Sequence, residues 1–328
     1  PVIVKPHPGA ILPIAILIAE LQKVLKEEGF SENICQLATD TPENQITKEL
    51  TDHESVKIID YTGGSDFGNY IEGLKGKVTF TEKTGINSII IDSVDNLEKV
   101  LNNIAFSISL YSGQMCTAPQ NIFVPAEGVK TSDGLVSFED VVDGLKKAIS
   151  ALVENPKAGP FVLGAIQNQK TSERVNQENF GQMILEDSKV SNPMFKEART
   201  MSPKLMVVDL TDKDKYDDEI FGPLALIVKT NSTKESIQIA SEMASKKGAI
   251  SCGAYSTDEN VRDDIFEEMS GSYTSVSFNL TGGIYVNQNA AFSDFHVTGG
   301  NPAGNASFTN PEFLVKRFVW VGKRIPEK

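Results

Sequence analysis

Covalent chemistry in this sequence points first to one cysteine set among small and polar residues. The stretch Tyr111-Ser112-Gly113-Gln114-Met115-Cys116-Thr117-Ala118-Pro119-Gln120 lies between two apolar segments. Upstream, Ile104 to Tyr111 can form a buried helix; downstream, Asn121-Ile122-Phe123-Val124-Pro125 reads as a short strand. A thiol at such a junction can open into a cleft while packed elements hold its backbone. That is what a nucleophile requires, because the thiolate reacts and the thiol does not. The residue types alone leave a second reading open, a buried structural cysteine, since free Cys is among the most buried residue types.

Two other stretches carry chemistry-bearing residues. Glu82 stands in the polar run Thr81 to Gly85, where a carboxylate beside a cleft could act as a general base or could be an ordinary solvated glutamate. Val56 to Tyr61 reads as a strand feeding Thr62-Gly63-Gly64-Ser65-Asp66-Phe67-Gly68, followed by the helix-like Asn69 to Leu74. Strand, glycine-rich turn and helix start is a recipe for holding a phosphate: glycines let the backbone approach, and free amides point at the anion. The spacing is not G-x-G-x-x-G, and a plain tight turn is the alternative.

Gly113-Gln114-Met115-Cys116 resembles the G-Q-x-C signature around the catalytic cysteine of the aldehyde dehydrogenase superfamily. Phe80-Thr81-Glu82-Lys83-Thr84-Gly85 looks like the L-E-L-G-G segment that carries that family's general base. Glu219-Ile220-Phe221-Gly222-Pro223 matches its E-I-F-G-P segment unchanged. The three segments occur in the family's order and at family-like separations. The tail Phe292 to Ala303 departs from the usual P-F-G-G-x-K pattern and resembles the PaaN-type branch, the aldehyde dehydrogenase-like proteins associated with phenylacetic acid degradation. The resemblance covers nearly the whole chain, from about Lys5 to Val321.

The resemblance implies an aldehyde dehydrogenase-like α/β fold. Part of a Rossmann-like dinucleotide-binding domain would span residues 1–83 and a catalytic domain residues 84–291. A tail, residues 292–328, would return to the cofactor domain and supply an oligomerisation strand. It also implies an aldehyde substrate, NAD or NADP as cofactor, and Cys116 and Glu82 as catalytic residues. Lys5 matches the lysine that contacts the adenosine side of the cofactor, and Gly63, Gly64, Ser65 and Gly68 resemble the G-S-T-x-x-G turn, with Gly64 in place of the usual Ser. Glu219 and Phe221 match positions that grip the nicotinamide ribose and pack beside it; read without the family they are a surface acid and a core aromatic. Pro8 stands where the family's K-P-x-E motif carries an acid, so a 2′-phosphate could be accepted. Two departures are Lys83-Thr84 in place of L-G, and no P-W-N type segment for the oxyanion asparagine. The chain begins at Pro1 in a strand-like run, and the expectation is a C-terminal portion of a longer parent. CoA instead of water as acyl acceptor, a non-catalytic aldehyde dehydrogenase-like subunit and an unrelated α/β binding protein are the competing readings.

The elements that must position these residues alternate. Pro1 to Val4, Asn33 to Ala38, Lys77 to Phe80, Ser88 to Ile91, Lys204 to Asp209, Leu224 to Val228 and Ile250 to Tyr255 read as strands. Ala10 to Glu28, Thr41 to Asp52, Phe138 to Leu152 and Lys234 to Lys247 read as helices, and the alternation predicts a parallel α/β sheet. Thr211 to Glu219 reads as an acidic, mobile segment. Phe313 to Val321 reads as a last apolar strand, an edge that must be paired or covered; the resemblance implies that it builds a homo-oligomer.

Composition sets bounds. The chain has 328 residues, 40% hydrophobic and 23% charged, which suits a globular protein of about two domains. A net charge of -13 disfavours general nucleic-acid binding. Cys35, Cys116 and Cys252 form no CxxC pair, so neither a disulfide framework nor a metal site is expected, which fits a cytoplasmic setting. The apolar run Ala10 to Ala19 is too short to span a membrane.

Overall fold

The computed structural model describes residues 1–177, 180–284, 300–304 and 321–326. The chain divides into two compact units, residues 1–59 with 73–79 and residues 60–72 with 80–328.

In the first unit, strand β1 (Val2–Val4) stops at Lys5-Pro6-His7-Pro8, whose prolines cannot continue a ladder. Helix α1 (Ile11–Glu27) follows, and Gly29, at φ +78°, ends it in the left-handed region. Strand β2 (Cys35–Leu37) pairs parallel to β1. Helix α2 (Thr47–Asp52) is shorter than the rhythm of Thr41–Asp52 suggests, because the Thr41 hydroxyl and carbonyl both accept the Asn44 amide in a turn. Helix α1 buries Ile18 and leaves Leu12, Ile16, Leu17 and Val24 exposed. With its first turn the run Pro8–Glu27 reaches 20 residues. It is therefore longer than the Ala10–Ala19 run and meets, by length and composition alone, the requirement for crossing a membrane.

Strand β3 (Ile58–Thr62), helix α3 (Ser65–Glu72) and strand β4 (Val78–Glu82) come next, and β3 pairs with β4. Helix α3 begins inside the glycine-rich turn rather than after it. The chain then forms β5 (Ser88–Ile91), β6 (Ser93–Val94), α4 (Leu97–Ser109) and β7 (Asn121–Pro125). After β8 (Val129–Thr131) and β9 (Gly134–Val136) come α5 (Phe138–Val153), α6 (Gly159–Val162) and α7 (Gln169–Val175). Strands β10 (Gln182–Leu185), β11 (Lys204–Asp209) and β12 (Leu224–Thr230) lead to α8 (Thr233–Lys247) and β13 (Ser251–Tyr255). Last are α9 (Glu259–Gly271), β14 (Ser275–Phe278) and β15 (Lys323–Arg324).

Among the described residues the second unit is built on an eight-stranded sheet in the order β10-β11-β12-β7-β5-β13-β14-β15. Its pairings among the described residues are all parallel except β10 with β11. Apart from Ser88, Asn121, Lys229, Thr230 and Ser251 at or near their ends, the central strands β5, β7, β12 and β13 are apolar, because both faces are covered. Ile89, Ile91, Ile122, Val124 and Ile227 pack on one face with Ile104 of α4 and Leu145 of α5. Ile90, Phe123, Leu226, Val228 and Ala254 pack on the other with Met243 of α8 and Ile265 of α9. Each of the Val, Leu, Ile, Phe and Met side chains among them, fully buried, contributes about 1.5–3 kcal/mol.

The register decides where the chemistry sits. Asn121 lies opposite both Ser88 and Leu226, and Ser88 lies opposite Cys252. The segments entering β5, β7, β12 and β13 therefore meet at one edge of the sheet, its amino-terminal edge. Parallel sheets more often bind ligands beyond the carboxyl ends of their strands. The tail Phe292–Ala303 and the expected last strand Phe313–Val321 lie largely outside the described residues.

Candidate active site

Cys116 is reached through a strained turn. After α4, Tyr111 and Ser112 take φ values of 52° and 56°, left-handed conformations that cost non-glycine residues about 1–3 kcal/mol each. Hydrogen bonds hold the turn in place. The fully buried Ser112 hydroxyl sits between the carbonyls of Met201 (2.7 Å) and Gly164 (3.0 Å) and accepts the Gly164 N–H at 3.1 Å. Gly113 follows at φ 63°, where a Cβ would stand 2.5 Å from the Gly222 carbonyl oxygen, so both conformation and space demand glycine. The Gln114 side chain donates to the Ala165 carbonyl at 2.9 Å and accepts the Gln167 amide at 3.0 Å. The Gly-Gln pair therefore moors the loop to the segment after α6.

The half-buried Cys116 thiol is hydrogen-bonded to the Glu82 carboxylate. Burial pushes the thiol well above the ordinary range, the charge of Glu82 and the hydrogen bond to it push further, and Glu219 adds a smaller push. The Cys116 main-chain N–H acts the other way. At rest the sulfur is a protonated thiol beside a base, and Ile250 packs against it.

Glu82 ends β4, and its carbonyl accepts the Gly63 amide at 3.0 Å. The neighbouring Lys83, a departure from the familiar pattern, takes its ammonium to Glu72 (2.9 Å) and Asn69 (2.8 Å) on α3. Thr81 donates to Glu72, and Thr84 meets the Ser65 hydroxyl. The odd residues around Glu82 are thus occupied with α3.

Glu219 precedes β12 and accepts the Gly85 N–H, while Arg174 of α7 stands near its charge. Burial raises its carboxyl to about 7 against Gly85 and Arg174, with Glu82 adding to the rise. Arg174 also donates to the Phe221 carbonyl at 3.0 Å. The acidic segment before it, expected to be loose, is pinned: Gln120 accepts the Ile220 amide (2.6 Å) and donates to Asp218 (3.0 Å), and Asn121 donates to Tyr216 (2.8 Å). Glu219, Phe221, Gly222, Gly85, Met115 and Ala118 line a small pocket beside the cysteine loop.

The structure therefore brings Cys116, Glu82 and Glu219 together, with Phe221 in the pocket that Glu219 lines. Of the expected cofactor residues, Gly63, Gly64, Ser65 and Gly68 lie at the start of α3 in the second unit. A Cβ on Gly63 would collide with the Tyr61 ring, and one on Gly64 would meet open space. The first helical bond runs from the Gly68 amide to the Gly64 carbonyl at 3.1 Å. The amides ahead of it face outward as at any helix start. Asp66 in the same turn offsets part of their field. Lys5 lies in the first unit, paired with Asp40 at 2.8 Å. Burial opposes ionisation of Asp40, but Lys5 and the Ile46 amide win and hold its carboxyl below the ordinary value. An ammonium has three donors, and this pairing uses one.

Sequence reasoning missed Asn87, Ser112 and Arg174. All three act through backbone groups of distant segments, a relation that no local spacing encodes. Among the described residues no cluster of His, Cys, Asp and Glu could hold a metal.

Comparison with known proteins gives a consistent picture. The sequence model described as "Aldehyde dehydrogenase family" matches residues 1–304. The N-succinylglutamate 5-semialdehyde dehydrogenase of Burkholderia orbicola is 27% identical over 244 residues, 73% of this chain and 48% of that protein. Its counterpart in Burkholderia vietnamiensis is 26% identical over 228 residues, 68% of this chain and 45% of that protein. The chain spans about half the length of these curated relatives. The crystal structure of an NAD-dependent aldehyde dehydrogenase from Burkholderia multivorans superposes with a TM-score of 0.90 at 41% identity, covering 96% of this chain and 57% of that one. A glyceraldehyde-3-phosphate dehydrogenase from Methanocaldococcus jannaschii, complexed with NADP, shares the fold at TM-score 0.62 and 20% identity, covering 85% of this chain and 58% of that one.

Proposed function

The chain belongs to the aldehyde dehydrogenase family, and from that premise we propose that it carries the catalytic machinery of an NAD- or NADP-dependent oxidation of an aldehyde to an acid. The observation that carries this reading is the hydrogen bond between the Cys116 thiol and the Glu82 carboxylate, with the Glu219 carboxylate close enough to raise the thiol further.

In this reading the Cys116 sulfur attacks the aldehyde carbon while Glu82 takes the thiol proton. The Cys116 main-chain N–H, already directed at its own sulfur, is the donor present for the developing oxyanion. The nicotinamide supplies the hydride acceptor when bound. Residues that fit it are Glu219, whose buried carboxylate can accept hydroxyl hydrogens, and Phe221, which lines the same pocket. The turn Gly63-Gly64-Ser65 with Gly68, and Lys5, are assigned to the phosphates and adenosine side. Glu82 passes the thiol proton to solvent before water opens the resulting thioester; it then accepts the water proton, and the Cys116 sulfur leaves as a thiolate that is reprotonated. Residues 1–83 belong to the cofactor domain in this reading and residues 84–291 to the catalytic domain.

The substrate class divides into two readings. The tail sequence from Phe292 to Ala303 supports a PaaN-type role in phenylacetate or other aromatic acid degradation. The curated relatives are described as acting on N-succinylglutamate 5-semialdehyde, which supports an aliphatic semialdehyde. Three cysteines outside any disulfide support a reducing, cytoplasmic setting, and the sequence of residues 313–321 supports assembly as a homo-oligomer. The test is NAD(P)H formation with phenylacetaldehyde and with N-succinylglutamate 5-semialdehyde, with and without CoA, in the parent chain and in Cys116→Ala. Turnover lost in Cys116→Ala is expected; turnover surviving the substitution overturns the assignment.

A further inference from the structure

Asn87, immediately before β5, is 2% exposed, and its side-chain amide is fully used. Its Nδ2 donates to the carbonyls of Cys116 at 2.7 Å and Ala118 at 3.2 Å. Its Oδ1 accepts the main-chain N–H groups of Ile250 at 3.0 Å and Ser251 at 3.1 Å. A primary amide has two donor hydrogens and two acceptor lone pairs, so no capacity is left over. The orientation is also unambiguous. Turning the amide over would face NH₂ to two N–H groups and oxygen to two carbonyls. The Asn87 main-chain carbonyl accepts the Gln120 amide at 3.0 Å, adding a second tie to the same loop.

We propose that Asn87 is a positioning residue that fixes the nucleophile loop by bolting it to the entry of β13. The proposal rests on Cys116 being the nucleophile. One amide holds both the residue that carries the thiol and Ile250, the residue that packs against the sulfur. The thiol's distance from Glu82 and its shielding by Ile250 therefore both depend on one side chain that touches neither the sulfur nor the carboxylate. The loop needs such a bolt because the Tyr111-Ser112 turn ahead of it stores strain that any freedom in residues 114–120 would release.

A role in the core alone would lower stability without moving the thiol's titration, and that difference defines the test. Asn103 offers a control: it is equally buried, and its Nδ2 donates at 3.4 Å to the Tyr255 hydroxyl, away from the loop. Asn87→Ala, Asn87→Ser and Asn103→Ala would be prepared in the full chain. Cys116 alkylation by iodoacetamide would be followed against pH by peptide mapping, alongside thermal melting. Asn87→Ser retains a hydroxyl for one of the two carbonyls and serves where the alanine variant does not fold. In the Asn87 variants the alkylation midpoint is expected to fall toward the ordinary thiol range by at least about half a pK unit, about threefold in rate at fixed pH. Asn103→Ala is expected to leave it in place. An unmoved midpoint in the Asn87 variants, or an equal movement in Asn103→Ala, overturns the proposal. Alkylation needs neither aldehyde nor dinucleotide. Failure of the proposed activity would show as absent turnover in the parent chain, and this readout would stand apart from it.

Discussion

Glu82→Gln separates the charge of the base from the burial of the thiol. Both raise the titration of Cys116 in the parent protein, burial first and Glu82 second through its charge and the hydrogen bond. Glutamine keeps the shape, removes the charge and can turn its NH₂ toward a thiolate. Two like charges about 4 Å apart at an effective dielectric of about 20 repel by about 4 kcal/mol. That corresponds to about three pK units. Both groups are partly open to solvent, which screens the interaction, so a fall of about one to two units is the expectation. Below both midpoints the thiolate fraction grows tenfold per unit, and alkylation at a fixed pH near 8 should accelerate by about 10- to 100-fold. Aldehyde turnover should move the opposite way, because the variant cannot accept the thiol proton or activate the deacylating water. Iodoacetamide rates against pH, resolved by peptide mapping from the buried Cys35 and Cys252, measure the first effect. A midpoint that stays or rises in Glu82→Gln would refute the reasoning: burial alone would then control the thiol, and Glu82 would not be its proton acceptor.

Glu219→Gln tests the second carboxylate through stability. The folded-state value of Glu219, about 7, lies above the ordinary 4.5, so the folded protein keeps a proton that the unfolded chain releases. Its stabilisation is complete below about pH 4.5 and is lost as pH rises through about 7, by up to about 3 kcal/mol. Thermal melts of Glu219→Gln and the parent should therefore diverge in favour of the variant between about pH 5 and 8, and parallel curves would count against a raised Glu219. Gly113→Ala should cost at least about 2 kcal/mol, since alanine meets both a left-handed backbone and the Gly222 carbonyl. A melting temperature within a degree of the parent would show that the turn can relax.

The legible parts of the fold are those where burial on both faces writes a continuous apolar run. Ser88–Ile91, Asn121–Pro125, Lys204–Asp209 and Ser251–Tyr255 are found by inspection for this reason. Helix α9 was not, because Glu259–Gly271 is rich in charge and buries only Ile265 and Met269, too few for a visible stripe. Strand β14 hides for the opposite reason: Ser275 and Ser277 alternate with Val276 and Phe278, yet all four are buried, so the pattern resembles a half-exposed strand or a loop. At the site, Cys116, Glu82 and Glu219 stand out through the family resemblance. Their convergence depends on β5, β7 and β12 being sheet neighbours out of sequence order, which is a property of topology and not of any segment.

Lys83 shows why that topology matters to the chemistry. In sequence a lysine beside the base looks damaging: an ammonium near Glu82 would hold the carboxylate ionised and compete with the thiol for it. Successive residues of a strand point to opposite sides. With Glu82 directed at Cys116, Lys83 is delivered to Glu72 and Asn69 on α3. The base is then left with an acidic neighbour, Glu219, rather than a basic one. Burial together with the charges of Glu82 and Glu219 makes a standing thiolate unfavourable, so in the proposed reaction ionisation accompanies attack on the carbonyl instead of preceding it. A loop that ionises its nucleophile only at the moment of reaction has to hold sulfur and base in register while at rest. The strain at Tyr111 and Ser112, the glycine at 113 and the four bonds of Asn87 all act on that one distance.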